Sequence, residues 1–276
     1  MESARLDKEL VDQPQLWRLL LRIDDATMDV AVLCNVADNS LIYRRLALDA
    51  NLSQREALEN VIYDNPLLLS DFARIDIVFD TANYAVMPAE LTDDDVCKRT
   101  VLALRGLDDD ASYDFTLKRI DAVDVSVGML IDSDVARVLR RTFNNPHFHH
   151  QFEPLICFFH SRCRLGSAGK MFAHLSAGQV DVIAFGADGL RIANRFVYRE
   201  AADACYYILA ARDMLKCDDS DELLLSGPMT QRDEVSGTLR EYVPYVMAVF
   251  FPSAMAKAGA DAMKMPFELI ILPLCE

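Results

Sequence analysis

MDVAV at residues 28–32 and VDVIA at residues 180–184 present the same strand twice. Each alternates apolar and polar or small residues, the period of a half-buried strand. Each sets an aspartate, Asp29 or Asp181, at its second position, and each runs on to an Ala-Asp pair that suits a hairpin tip (Ala37-Asp38, Ala187-Asp188). The flanks repeat as well. LWRLLLRI (16–23) precedes the first copy, and LIYRRLAL (41–48), SQREALENVIYDN (53–65) and RIDIVFD (74–80) follow it. KMFAHLS (170–176) precedes the second, and LRIANRFVY (190–198), REAADACYYILAARDMLKC (199–217) and ELLLSG (222–227) follow. Ser53 with Glu56 three residues on is a capping box, and apolar residues then recur at helical spacing. Both halves therefore predict strand, strand, strand, helix, strand.

Three antiparallel strands followed by a helix and a parallel strand make a ribonuclease-H-like core. Two such cores facing each other across a cleft make an α/β protein with mixed sheets, the actin-like ATPase fold. The expected division is a first domain over 15–150 with inserted strands and a helix, and a second over 151–276. The insertion holds YDFTLKRI (113–120) and AVDVSVGMLI (122–131) as strands. DSDVARVLRRTF (132–143), capped by Asp132 or Ser133, and FEPLICFFHSRCR (152–164) read as helices. RDEVSGTLREYVPYV is helical up to Pro244, and the closing MPFELIILPLCE is expected to return onto the first domain.

The bounds are consistent with this. A chain of 276 residues that is 52% hydrophobic buries a substantial core. The net charge of −15 argues against nucleic-acid binding, because an acidic surface repels phosphate backbones. TDDD (92–95), DDD (108–110) and DDSDE (218–222) read as solvated loops without calcium-loop spacing. The polar N-terminus carries no secretory signal pattern. No stretch reaches the roughly 18–20 apolar residues of a membrane helix. Seven cysteines without a CxxC fit a reducing cytoplasm.

The second half resembles a family of uncharacterised Bacteroidetes proteins with an actin-like ATPase fold. The matching residues are Asn194, Phe196, Tyr198, Asp203, Tyr206-Tyr207 and Ser226-Gly227, with the closing Pro-Phe-x-Leu-x-x-Leu-x-Leu at 266–274. The resemblance spans most of residues 15–275, is dense from about 190, and implies a fold rather than an activity. More distantly the architecture is similar to pilus-assembly and cell-division members of the actin-like superfamily.

Active relatives hold phosphate on Asp-x-Gly-Thr, whose Gly lets backbone N–H groups approach. Here the stretch is Asp24-Asp25-Ala26-Thr27. Ala26 would cost ~1 kcal/mol if a left-handed φ were required. Asp25 at about 4 Å from a phosphate would add about 4 kcal/mol of repulsion at an effective dielectric of 20. The second loop, counted back from Asp181, runs His174 to Asp181 and keeps only Gly178 of its glycines. The adenosine loop is reduced to Ser226-Gly227-Pro228, and Pro228 removes a donor. No Lys or Arg near these loops is expected to compensate, although Arg22 shares a strand face with Asp24 and would neutralise it.

Other constellations are weaker. GSAGK (166–170) is too short for a phosphate loop. PHFHH (146–150), with His147 and His149 expected in a loop, fits no standard zinc module with Cys157, His160 or Cys163. Nucleophilic catalysis has no supporting pattern. One of Tyr206 and Tyr207 is expected in the core and the other at the rim.

The residues favour a non-hydrolysing, actin-like binding or scaffold protein with eroded phosphate loops. It would have no cofactor, another protein as partner, no nucleic acid, no membrane insertion and a cytoplasmic location. Asp24, Thr27, Gly178, Asp181 and Gly227 mark the eroded nucleotide cleft. The alternative is a nucleotide-binding ATPase or sugar-kinase-like phosphotransferase with an unconventional site, weakly binding Mg-ATP with Asp24 on magnesium. The oligomeric state is not specified by the sequence.

Overall fold

The computed structural model describes residues 5–34, 40–108, 111–163, 169–186, 189–256, 258–259 and 261–275. The tip residues Ala37-Asp38 and Ala187-Asp188, Asp109-Asp110 of the DDD run and Gly166 to Ala168 of GSAGK lie outside the described residues.

The first unit contains β1 (Trp17–Ile23), β2 (Thr27–Cys34), β3 (Leu41–Ala47), α1 (Gln54–Asp64) and β4 (Arg74–Phe79). β1, β2 and β3 form an antiparallel meander, and β4 runs parallel to β1. Ser53 caps α1 by accepting the Glu56 N–H, while the Glu56 carboxylate accepts the Ser53 N–H at 3.2 Å. This exchange satisfies donors that a helix start leaves open.

An insertion follows, with β5 (Tyr84–Pro88), α2 (Asp94–Arg105), β6 (Tyr113–Ile120) and β7 (Val125–Asp132). Its three strands lie in the order β5-β7-β6 and share a small core with α2 around Cys97, Val101 and Leu130. α3 (Ser133–Thr142) starts at Asp132, whose carboxylate accepts the N–H groups of Asp134 and Val135. β8 (His147–His150) then joins the first sheet parallel to β4. The expectation of a loop there is corrected: four residues are too few for a period to be visible, and the pairing comes from β4.

α4 (Phe152–Cys163) leads to the second unit: β9 (Lys170–Ser176), β10 (Gln179–Gly186), β11 (Gly189–Val197), α5 (Ala201–Leu215) and β12 (Glu222–Ser226). α6 (Met229–Tyr242), β13 (Val246–Ala248), α7 (Ser253–Ala256) and α8 (Phe267–Ile271) complete the chain. The two main sheets have matching orders, β3-β2-β1-β4-β8 and β11-β10-β9-β12-β13.

Strand alternation sorts side chains between cores. Leu19, Leu21 and Ile23 face an outer core under α1 and α3, while Leu20 faces a central core with Phe172, Ile183 and Leu224 of the other sheet. α4 and α8 fill this central layer through Phe152, Phe159 and Leu269. A third core lies between the second sheet and α5 and α6. Each fully buried Leu or Phe contributes about 1.5–3 kcal/mol by leaving water. The inner faces also carry charge at their ends: Arg18 and Arg22 share the Leu20 face of an otherwise apolar strand. Among the described residues no helix is long and apolar enough to cross a membrane.

Candidate functional site

The hairpins β1–β2 and β9–β10 bring their ends to one cavity of about 740 Å³. Asp24, Ala26 and Thr27 line it from the first unit, and Ser176, Ala177 and Gly227 from the second. The segment from Met263 to Ile270 supplies a wall. Of the five residues marked by the sequence, Asp24, Thr27 and Gly227 line the cavity, whereas Gly178 and Asp181 lie outside its lining.

The turn after β1 is occupied by its own side chain. Asp24 Oδ1 accepts the N–H groups of Ala26 at 2.9 Å and Thr27 at 2.7 Å. Asp24 Oδ2 accepts the Thr27 hydroxyl at 3.0 Å and Arg22 Nη1 at 2.8 Å. Partial burial pushes this carboxyl up, but the Ala26 N–H, Arg22 and Thr27 outweigh it and hold it below the ordinary range. Ala26 does not enter the left-handed region, so the expected glycine-replacement strain is absent. Asp25 is exposed and outside the lining.

The register corrects the reading of the second loop. Arg22 pairs with Asp29, and His174 pairs with Asp181. Asp29 then pairs with Arg45, and Asp181 with Arg195. The counterpart of His174 is therefore Arg22, and the counterpart of Asp24 is Ser176. In place of a long glycine-rich loop, the second hairpin turns on Ala177-Gly178 between the paired Ser176 and Gln179, in keeping with the loss of all but Gly178 read from the sequence. Gly178 takes φ +71° at that tip. Gly227 is held more tightly: at φ +104°, an added Cβ would lie 2.0 Å from the Leu175 carbonyl oxygen.

A charge network that the sequence did not reveal joins the units. Arg195 binds Asp181 with Nε at 2.8 Å and Nη2 at 3.1 Å, and binds Asp80 with Nη1 at 2.5 Å. Arg22 Nη2 binds the other oxygen of Asp80. Asp80 thus links Arg22 of β1 to Arg195 of β11. Glu268 of α8 lies 3.5 Å from Arg22 Nε and 3.3 Å from His174 Nε2, while His174 Nδ1 bonds Ser226 Oγ at 3.0 Å. Burial pushes the Glu268 carboxyl up, but His174 and Arg22 hold it well below the usual range. Burial raises the Asp181 carboxyl against the pull of Arg195. Asp29 accepts Tyr43 Oη at 2.5 Å and Arg45 Nε at 2.7 Å. Charges at inner-face positions of apolar strands were the available signal; their partners lie far along the chain.

The expectation that no cation approaches the loops is also corrected. Arg45, Arg232 and Lys264 line the cavity, brought there by β3, α6 and the closing segment. Arg45 is held by Asp29 and Lys264 by Asp261 at 3.0 Å, whereas Arg232 Nε has no hydrogen-bond partner among the described residues. Among the described residues no group of His, Cys, Asp or Glu is arranged to hold a metal ion. His149 instead bonds Glu153 at 2.8 Å and Asp76 at 3.1 Å. Burial pulls its pKa down, but these two carboxylates overcome that and raise it to about 9.

Among the residues of the family resemblance, Phe196, Tyr198, Asp203 and Tyr207 have structural roles. Tyr198 Oη bonds the Ser176 carbonyl at 3.0 Å, and Asp203 accepts the Arg199 and Glu200 N–H groups at 3.1 Å each. Tyr207 stacks on Phe196 with centroids 4.9 Å apart, while Tyr206 is 67% exposed.

No curated protein matches the chain. A Bacteroides thetaiotaomicron VPI-5482 protein with an actin-like ATPase fold and unknown function is similar at 20% identity and a TM-score of 0.78, over 94% of this chain and 96% of that one. The PilM–PilN type IV pilus biogenesis complex matches at 11% identity and a TM-score of 0.57, over 94% and 95% of the two chains. With the paired sheets, these likenesses show that the fold is the actin-like ATPase fold. The model for "Protein of unknown function (DUF3822)" matches residues 8–246, and the chain belongs to that family.

Proposed function

We propose that this protein is a non-hydrolysing member of the actin-like fold that acts by binding another protein, as an adaptor or scaffold. The observation that carries the reading is the Asp24 turn. The Ala26 and Thr27 N–H groups, which would face a phosphate in a working loop, donate to Asp24 instead. A phosphate would have to displace a carboxylate that has four bonds of its own. Glu268 supplies a second internal anion, between Arg22 and His174. A protein partner is supported by large exposed apolar side chains on the second unit, among them Phe250 at 84% and Val197 at 69%. PilM, of similar fold, is solved as a complex with PilN, so the fold is compatible with such a partner. Seven cysteines without a CxxC support a cytoplasmic setting.

A second reading, weak Mg-ATP binding with Asp24 on magnesium, has two observations in its favour. The cavity is large enough for a small ligand, and Arg232 Nε lies at its edge without a hydrogen-bond partner. Two measurements decide between the readings. Phosphate release with magnesium or manganese is expected at background, equal in wild type and Asp24→Ala. Millimolar Mg-ATP is expected to leave the thermal midpoint unchanged, since a ligand of the folded state would raise it by mass action. Turnover that vanishes in Asp24→Ala would overturn the proposal. A pulldown from native cytosol then identifies the partner.

A further inference from the structure

We infer that Cys157 and Cys275 form a redox-active thiol pair, closed to a disulfide by a hydroperoxide, that fastens the closing segment of the chain to α4. Cys157 lies on α4, and Cys275 lies in the turn beyond α8. Cys157 Sγ is 3.8 Å from the Cys275 carbonyl oxygen. The Cys275 thiol donates to the Ile271 carbonyl at 3.2 Å and lies 3.5 Å from the Pro154 carbonyl. Pro154 is about one helical turn before Cys157, so the Cys275 sulfur rests on the α4 face that carries Cys157. The neighbouring Cys275 side chain, opposed by burial, brings the Cys157 thiol down to about 7. Both residues are partly exposed, so a small oxidant has access.

The other cysteines lack this combination. Cys34, Cys97 and Cys205 are buried. Burial raises the thiols of Cys97, Cys205 and Cys217, and raises that of Cys163 to about 11. Thiolate, the reactive form, is therefore more available on Cys157 than on Cys97, Cys163, Cys205 or Cys217.

The Cys157 thiolate attacks one peroxide oxygen and the O–O bond breaks. Cys157 becomes a sulfenic acid, and the leaving oxygen takes a proton to give water or an alcohol. The Cys275 sulfur then attacks the sulfenic sulfur, and its thiol proton leaves with the hydroxide as water. Two thiols lose two electrons in total and the peroxide gains them. A dithiol reverses the bond by exchange. The fastened segment includes α8, which places Glu268 in the cleft.

The test treats the full chain with hydrogen peroxide, blocks remaining thiols with iodoacetamide, and maps peptides without reduction. The expected result is one cross-linked pair joining Cys157 and Cys275, absent after dithiothreitol, with the other five of the seven cysteines alkylated. Oxidation is also expected to move the urea midpoint of wild type upward, and to leave Cys157→Ser and Cys275→Ser unmoved. Sulfinic acid on Cys157 without a cross-link, or a bond from Cys157 to Cys163, overturns the proposal. The wild-type peptide map decides this even if a serine variant fails to fold.

Discussion

The hairpins β1–β2 and β9–β10 have the same length and register, yet they are stabilised differently. Across the first hairpin and β3, Arg22–Asp29–Arg45 corresponds to His174–Asp181–Arg195 across the second hairpin and β11. The Ala26 carbonyl accepts the Leu48 N–H at 2.8 Å, and the Gly178 carbonyl accepts the Tyr198 N–H at 2.9 Å, at matching positions. The first tip is tied by an aspartate that takes its N–H groups, whereas the second uses a glycine at positive φ. The sheets diverge in the same way. Asp76 on β4 holds Arg18, Arg74 and His149, while its counterpart on β12 is Leu224 in the central core. The two units share the backbone arrangement, and both bury charge on the inner hairpin strands; they part at this position, where the first sheet holds a buried carboxylate and the second an apolar contact.

The largest expected effect lies where the two units share one group. Asp80→Ala leaves Arg22 and Arg195 buried without their common carboxylate and is expected to cost about 3–5 kcal/mol in urea unfolding. A cost under about 1 kcal/mol would show that the hairpins are stabilised independently. Next comes the charged edge of the first sheet. The folded pKa of His149, about 9, exceeds its unfolded value of 6.5, so its contribution is complete below 6.5 and is lost as pH rises through 9. The loss amounts to up to about 3 kcal/mol between neutral pH and pH ~10. His149→Gln should flatten that limb of the stability curve, and an unchanged limb would remove His149 as its source.

Gly227→Ala meets the Leu175 carbonyl and should cost about 2–3 kcal/mol, since it combines strain with a backbone clash. Ala26→Gly at the first tip should cost no more than about 1 kcal/mol, because its φ needs no glycine. Equal costs would erase the contrast between the two loops. The smallest effect is expected on α5. Tyr206→Ser should stay within about 0.5 kcal/mol, while Tyr207→Ser loses the Phe196 stack and about 1 kcal/mol or more. A Tyr206→Ser variant that folds normally and loses a captured partner would place the docking surface there.

The repeated period-2 strands and helical stretches showed the duplication, because side-chain alternation is a local property that burial on one face imposes. The Ser53 cap and the Asp132 start were legible for the same reason: a cap acts within one helical turn. The four residues of β8 were not, since a short strand is defined by its neighbour β4. The site was legible only in part. Asp24, Thr27 and Gly227 stand in motif-like positions and do line the cavity. Asp80, Arg195 and Glu268 match no motif, and Arg195 meets Asp80 from a different sheet. By itself the sequence determined two ribonuclease-H-like units and their strand faces, because those follow from interactions between near neighbours. Only the tertiary structure decided which charges meet in the cleft, since strand pairing and the closing helix bring together groups separated along the chain, and burial then makes each depend on its partner.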